Sequence, residues 1–220
     1  MTIATWNLER LKYQKETPEI ISILEDLNAD ILVLTEYDEM VNLKNYPYKI
    51  TTKNLSELQA VYYKPSEKRV RIYSKYEIVN QLPTYDEYTS CCAEIKTGRG
   101  NLLVYGTIIG IFGNRHENFK TDLSKQIIDF KTLSINQNIC IIGDYNISFS
   151  DNYYFTNWGR NELNNSFEEN RIANLTHHLS EAIDHIAISQ AFIGTAQVET
   201  QEWNLDKKLS DHKGVSISWI

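Results

Sequence analysis

Cysteine, proline and methionine are scarce in this 220-residue chain, with three, four and two copies. An odd number of cysteines, two adjacent as Cys91-Cys92 and the third, Cys140, inside an apolar run, fits neither a disulfide framework nor a zinc site. The expected setting is a reducing, cytoplasmic one. No apolar run approaches the roughly 20 residues needed to span a bilayer, so no membrane association is expected. The opening Met1-Thr2-Ile3-Ala4-Thr5-Trp6 enters a strand pattern without a basic stretch or a long apolar stretch, and no secretory leader is expected there. Positive charge is also short: 22 Lys and Arg face 29 Asp and Glu, a formal net charge of −7. That balance argues against strong non-specific binding to duplex nucleic acid, which needs a basic face. It leaves a nuclease open, because carboxylates around a divalent ion are themselves acidic and the ion reverses the local sign. Repeats, linkers and low-complexity segments are missing, so one domain over residues 1–220, acting as a monomer, is expected.

What is present is organised around Ile139-Cys140-Ile141-Ile142-Gly143-Asp144-Tyr145-Asn146. An apolar, mostly β-branched run that stops at Gly143-Asp144 reads as a buried strand with polar side chains at its carboxyl end. Strand alternation puts Asp144 and Asn146 on one side and Tyr145 on the other. A carboxylate beside an amide suits a water and a phosphate oxygen, but Gly-Asp-x-Asn also describes an ordinary turn.

The first segment, Thr2 to Glu9, reads as a strand. Thr17-Pro18-Glu19 has the pattern of an N-cap, a first-turn proline and a first-turn acid, and Ile20, Ile21, Ile23, Leu24 and Leu27 follow at helical spacing. Asn28-Ala29-Asp30 closes that helix, and Ile31 to Glu36 is a second strand ending in a carboxylate. Strand, helix, strand suggests a βαβ start. The middle of the chain is expected to be an antiparallel meander with strands at 49–52, 60–64, 69–73, 77–82 and 89–96. Gly98-Arg99-Gly100-Asn101 turns the last of these into a hairpin with Leu102 to Ile109. Phe119, Leu123, Ile127, Phe130 and Leu133 mark a second covering helix over 118–133. Residues 148–170 read as a surface connection with a short helix near 162–170; Tyr153, Tyr154, Phe155, Trp158 and Phe167 there either stack on bases or pin the loop to the body. Strands over 183–188, 194–203 and 215–219 complete the pattern. Lys68, Arg69 and Arg71 share a strand, but alternating faces would split them.

The strand ends collect Asn7, Glu36, Asp144 with Asn146, Asp184 with His185, and Asp211 with His212. Each taken alone is a turn cap or a surface histidine. Together, on apolar strands that can converge at one sheet edge, they describe a site.

In order and approximate spacing, Trp6-Asn7, Leu34-Thr35-Glu36, Gly143-Asp144-Tyr145-Asn146, Ile183-Asp184-His185-Ile186 and Leu209-Ser210-Asp211-His212 resemble the endonuclease/exonuclease/phosphatase superfamily, which includes deoxyribonuclease I-like and exonuclease III-like enzymes. The resemblance spans the chain and implies an α+β fold, a four-layer α/β/β/α sandwich of two mixed β-sheets face to face with helices outside. It also implies a divalent-metal-dependent phosphodiesterase, most simply an endonuclease on nucleic acid. Glu36 matches the main metal-ligand carboxylate, with Asn7 in support and Asp211 beside the metal, and such hard oxygens suit Mg²⁺ or Mn²⁺. Asp144 matches the group acting on the attacking water and Asn146 the amide holding a phosphate oxygen. His212 would donate to the phosphate, with Asp184 holding its ring.

The chain departs from the family at one position. Where the family carries His or Tyr, this chain has Ile108, which can neither donate a hydrogen bond nor carry a proton. Tyr105, Arg115 and His116 are the candidates to take over; losing one such donor typically costs about 10²- to 10³-fold in rate. Two other readings therefore stand beside a nuclease: hydrolysis of a small phosphoester, which the acidic charge favours, and a catalytically weak binding protein.

Overall fold

The computed structural model of the chain describes residues 1–59 and 61–219. Strand β1 (Thr2–Asn7) leads through two short 3₁₀ turns to helix α1 (Thr17–Leu27), which returns the chain to β2 (Ile31–Asp38), parallel to β1. Asn28, at φ 48° in the left-handed region, ends the helix. Then come β3 (Tyr48–Thr51), the single turn α2 (Ser56–Gln59) and β4 (Glu67–Ser74). A second sheet opens with β5 (Ile78–Leu82), β6 (Ser90–Thr97) and β7 (Gly100–Ile108); α3 (Asn118–Leu133) then crosses to β8 (Ile139–Asp144), parallel to β7. After α4 (Asn157–Glu169), β9 (Ile172–Asn174) and β10 (Asp184–Ser189), a turn of helix α5 (Gln190–Ile193) leads back to the first sheet through β11 (Glu199–Trp203) and β12 (Gly214–Ser218).

The described strands form two mixed six-stranded sheets, in the orders β11-β12-β1-β2-β4-β3 and β5-β6-β7-β8-β10-β9. Each has one parallel pair at its centre, the pair joined by a covering helix. The sheets pack face to face through Ile3, Val33, Val70 and Ile72 of the first and Val104, Cys140, Ile142 and Ile186 of the second. The opposite face of the first sheet, with Leu32 and Leu34, packs on Ile20 and Leu24 of α1. The outer face of the second, with Ile139 and Ile141, packs on Phe119, Leu123 and Phe130 of α3 and on Leu163 of α4. Both faces of β2 and β8 are thus covered, which is why their sequences are continuous apolar runs instead of alternating ones. No helix among the described residues is long and apolar enough to cross a membrane.

Four local expectations are corrected. The Tyr-rich segment 60–64 is not a strand: residues 61–64 form turns after α2, and Ala60 lies outside the described residues. The helix expected near 162–170 starts earlier, at Asn157, because Thr156 caps it by accepting the Gly159 N–H at 3.1 Å. Thr17 is the first residue of α1, not its cap, and its hydroxyl donates back to the Gln14 carbonyl at 2.7 Å. The strand expected from Gly194 begins only at Glu199. As for the aromatics of this connection, Phe167 is buried and Phe155 and Trp158 pack partly buried on the second sheet's outer core, while Tyr153 stays exposed.

Candidate active site

The carboxyl ends of β1, β2 and β8 and the chain entries to β10 and β12 meet at one end of the sandwich. Asp184 stands opposite Asp144 in the β10/β8 ladder. The Asn7 amide donates to Asp144 Oδ2 at 3.1 Å across the two sheets, and Asn7 Oδ1 accepts the Glu9 N–H at 2.9 Å. Asp144 Oδ1 accepts the backbone N–H of Asn146 at 2.8 Å. His212 Nδ1 lies 2.5 Å from Asp184 Oδ2, and its Nε2 lies 3.6 Å from a carboxylate oxygen of Asp211. Ser210 fixes the approach to His212: its hydroxyl donates to the Asn7 carbonyl at 2.7 Å and accepts the His212 N–H at 3.2 Å.

Local backbone geometry aims these groups. Glu36 takes φ 45° within β2, a left-handed conformation that turns its carboxylate out of the pleat, and Asn146 takes φ 52° directly after β8. Glu9, Arg10 and Leu11 are left-handed in succession after β1. Strain of this kind persists only where surrounding contacts over-determine it, and it concentrates at functional sites.

Electrostatics follow from burial. Asp144 is raised to about 7, because burial disfavours its charge and Asp184 adds repulsion against the opposing pull of His212. Burial alone would lower His212, but Asp184 and Asp144 outweigh it and raise it to about 10. Its ring is therefore protonated at neutral pH, with Nδ1–H given to Asp184. Glu36 is raised by burial, with Arg69, His212 and Arg10 opposing. Ligand atoms of Asp144, Asp184 and His212 lie within 4.8 Å of one another, and Asp184 Oδ1 is buried with no hydrogen-bond partner. A buried carboxylate oxygen without a donor fits a divalent cation, as do the other hard oxygens here. Glu36 and Asp211 stand outside that close group among the described residues, and Asp211 is 65% exposed at the rim.

Several expected candidates are placed elsewhere. His185 turns away from the site: its ring is buried against Tyr145 and Phe149, its Nε2 donates to the Ile147 and Ala182 carbonyls, and burial lowers it to about 4. The Asn146 side-chain amide donates to the Ile109 and Gly110 carbonyls at 3.0 and 3.2 Å, holding the loop after β7. Ile108 pairs with Asp144 in the parallel ladder and fills the core between the sheets. Of its proposed substitutes, Tyr105 faces the outer layer and donates to Asp129 at 2.8 Å, and Arg115 and His116 are exposed on the following loop. Lys68, Arg69 and Arg71 diverge as expected, toward Glu39, Glu36 and the Tyr37 ring. Two further residues join the site: Asn114, which the sequence pattern does not mark, and Arg69, which it marks only as one of three basic residues on a strand. Asn114 donates to the Asn146 carbonyl at 2.7 Å, and Arg69 reaches to 3.9 Å from Glu36. Neither stands at a strand end, the only signal the pattern offered.

The chain's fold is shared by solved structures of low sequence identity. The Neisseria 3′ phosphatase NExo (D146N), bound to product DNA hairpin, superposes with a TM-score of 0.72 at 14% identity, covering 100% of this chain and 99% of that one. An AP endonuclease from Archaeoglobus fulgidus gives 0.70 at 15% identity, with 100% and 99% covered. A Staphylococcus aureus beta toxin gives 0.63 at 14%, with 99% of each chain covered. No curated protein sequence matches the chain. The sequence model of the Endonuclease/Exonuclease/phosphatase family matches residues 4–212. A match over almost the whole chain, together with the shared two-sheet architecture, places this protein in the Endonuclease/Exonuclease/phosphatase family, and it is a phosphoesterase.

Proposed function

We propose that the chain is a divalent-metal-dependent phosphodiesterase that cleaves nucleic acid by in-line attack of water on the phosphate. The observation that carries this reading is the linked set Asn7–Asp144 and Asp184–His212, an acid poised near neutrality 137 residues from its amide partner and beside a protonated histidine. Asp144, raised to about 7, takes the proton of the attacking water, since a general base works best with a pKa near the working pH. His212 gives its Nε2–H to a phosphate oxygen as charge develops there, and Asp184 keeps the ring protonated and oriented. Asn7 orients Asp144, and Asn146, through its bonds to Ile109 and Gly110, positions the loop. Glu36, the free oxygen of Asp184 and Asn7 would hold Mg²⁺ or Mn²⁺, with Asp211 at the rim. The ion would supply Lewis-acid neutralisation of the phosphate.

Nucleic acid is favoured as substrate because the Neisseria phosphatase of the same fold was solved with a DNA hairpin. A small phosphoester is the second reading, supported by the net charge of −7. The test is cleavage of supercoiled plasmid and of a single-stranded oligonucleotide with Mg²⁺, Mn²⁺ or EDTA. Metal-dependent cutting that drops about 10²- to 10³-fold in both Asp144→Ala and His212→Ala is expected. Cutting equal in the variants and the parent would refute it, and turnover of small phosphodiesters alone would move the substrate to the second reading.

A further inference from the structure

On the Arg69 side of Glu36 a cavity of about 320 Å³ opens between the α2 segment, the turn before β6 and the loop after β7. Its walls include Leu58, Tyr63, Tyr88 and Phe112, with Arg69 and Asp86 as its charged members. Arg69 is an unusual residue to bury: it is only 5% exposed. One guanidinium nitrogen is 3.9 Å from Glu36, another donates to the Tyr63 hydroxyl at 2.5 Å, and the group lies 5.1 Å over the Tyr63 ring. Its Nε is buried with no hydrogen-bond partner. Arg69 lines this cavity, and its Nη1, 3.9 Å from Glu36, is beyond hydrogen-bond reach of that acid, so the guanidinium has a donor left for a ligand acceptor. Across the same cavity Asp86 is an acceptor, with one carboxylate oxygen engaged by the Tyr88 N–H at 2.9 Å. Phe112, 64% exposed, offers a ring at the mouth.

We propose that this cavity is a subsite for the nucleobase of the nucleotide whose phosphate is attacked, with Arg69 donating to a base acceptor, Asp86 accepting from a base N–H, and Phe112 stacking on the ring. The inference rests on the nucleic-acid reading above and deepens it. A planar group carrying both donors and acceptors matches the cation, the anion and the aromatic wall together, and rings of this kind stack on any base. Arg69 lines the cavity 3.9 Å from Glu36, so a base held there would lie beside the carboxylate end of the site.

The test compares hydrolysis of thymidine 5′-(p-nitrophenyl phosphate) with that of methyl p-nitrophenyl phosphate, which presents the same leaving group without a base. The parent is expected to prefer the thymidine ester. Phe112→Ala is expected to raise its KM about tenfold with kcat held, and the loss on the methyl ester to be far smaller. Arg69→Gln is expected to abolish the preference. Parallel losses on both esters in Arg69→Gln would assign Arg69 to support of Glu36 and overturn the subsite, as would an unchanged KM in Phe112→Ala. If the parent hydrolyses neither ester, the plasmid assay alone decides the enzymatic reading, and the subsite is decided by binding of thymidine monophosphate in EDTA, followed by ligand-observed NMR. Binding that weakens about tenfold in Phe112→Ala supports the subsite, and absence of binding to the parent overturns it.

Discussion

His212 sits between two acids, and the one at Nδ1 governs it. Replacing Asp184 by Asn removes the first charge that holds the imidazolium, so the pKa of the ring falls from about 10 toward its ordinary 6.5. The alkaline limb of the kcat–pH profile should then move down by more than one pH unit, with kcat at pH 8 reduced by up to about 30-fold. An alkaline limb that stays in place in Asp184→Asn would remove His212 from the donor role. His185 makes the opposite prediction, and for stability. Its folded value of about 4 lies below the unfolded 6.5, so as pH falls the unfolded chain takes up the proton first. Its contribution is complete above about pH 6.5, declines as pH drops and is gone near pH 4, amounting to about 3 kcal/mol at most. Urea unfolding between pH 4 and pH 8 in EDTA should show this slope in the parent and a flatter one in His185→Gln; identical slopes would contradict it. The two Asp-His pairs show what a sequence conveys at this scale. In Asp184-His185 the acid faces the site and the histidine faces the outer core, whereas in Asp211-His212 the histidine faces the site and the acid lies at the rim. Residue type marks both pairs alike; strand alternation separates Asp184 from His185, whereas Asp211 and His212 lie in a bend before β12, where the Ser210 contacts orient His212.

At the scale of elements, the apolar strands with polar ends were legible because β1, β2, β8 and β10 are buried on both faces and end where the sandwich opens. The parallel β1–α1–β2 unit followed from the change between strand and helix periods. Segments decided by tertiary contacts were not legible. Residues 61–64 are rich in strand-forming Tyr and Val yet form turns that bring Tyr63 under Arg10 and Arg69. Gly143 carries more of the site than its sequence suggests. It takes φ 133°, and a Cβ there would stand 2.1 Å from the Thr107 carbonyl oxygen of the adjacent parallel strand. Gly143→Ala must therefore push β7 and β8 apart at the residue before Asp144. A loss of more than about 4 kcal/mol is expected, seen as a melting temperature lower by about 10 °C or more, or as insoluble protein. Gly98→Ala, in a hairpin turn with nothing within 4 Å of the new methyl, should melt within a few degrees of the parent. Equal melting of both variants would show that β8 has room that the packing denies.

For the whole molecule, the net charge of −7 is distributed so that most cations near the site are already engaged. Lys12 pairs with Glu9, Arg10 with Glu67, Lys68 with Glu39, Lys213 with Glu202 and Arg69 with Glu36. A protein that neutralises Z phosphates loses affinity with a slope of about −0.9Z in log K against log salt. With those five cations paired internally, this chain is expected to bind duplex with a slope no steeper than about −3. The measurement is fluorescence anisotropy of a labelled duplex across a series of KCl concentrations in EDTA. A slope of about −6 or steeper would reveal a basic footprint that the paired charges do not supply, and would shift recognition from a cleft that holds one nucleotide to a surface that grips the duplex backbone. A shallow slope makes the reacting nucleotide, its phosphate at Asp144 and His212 and its neighbours at Arg69, the main contributor to binding. Affinity for a short single strand and for a duplex should then be similar, which the same titration measures directly.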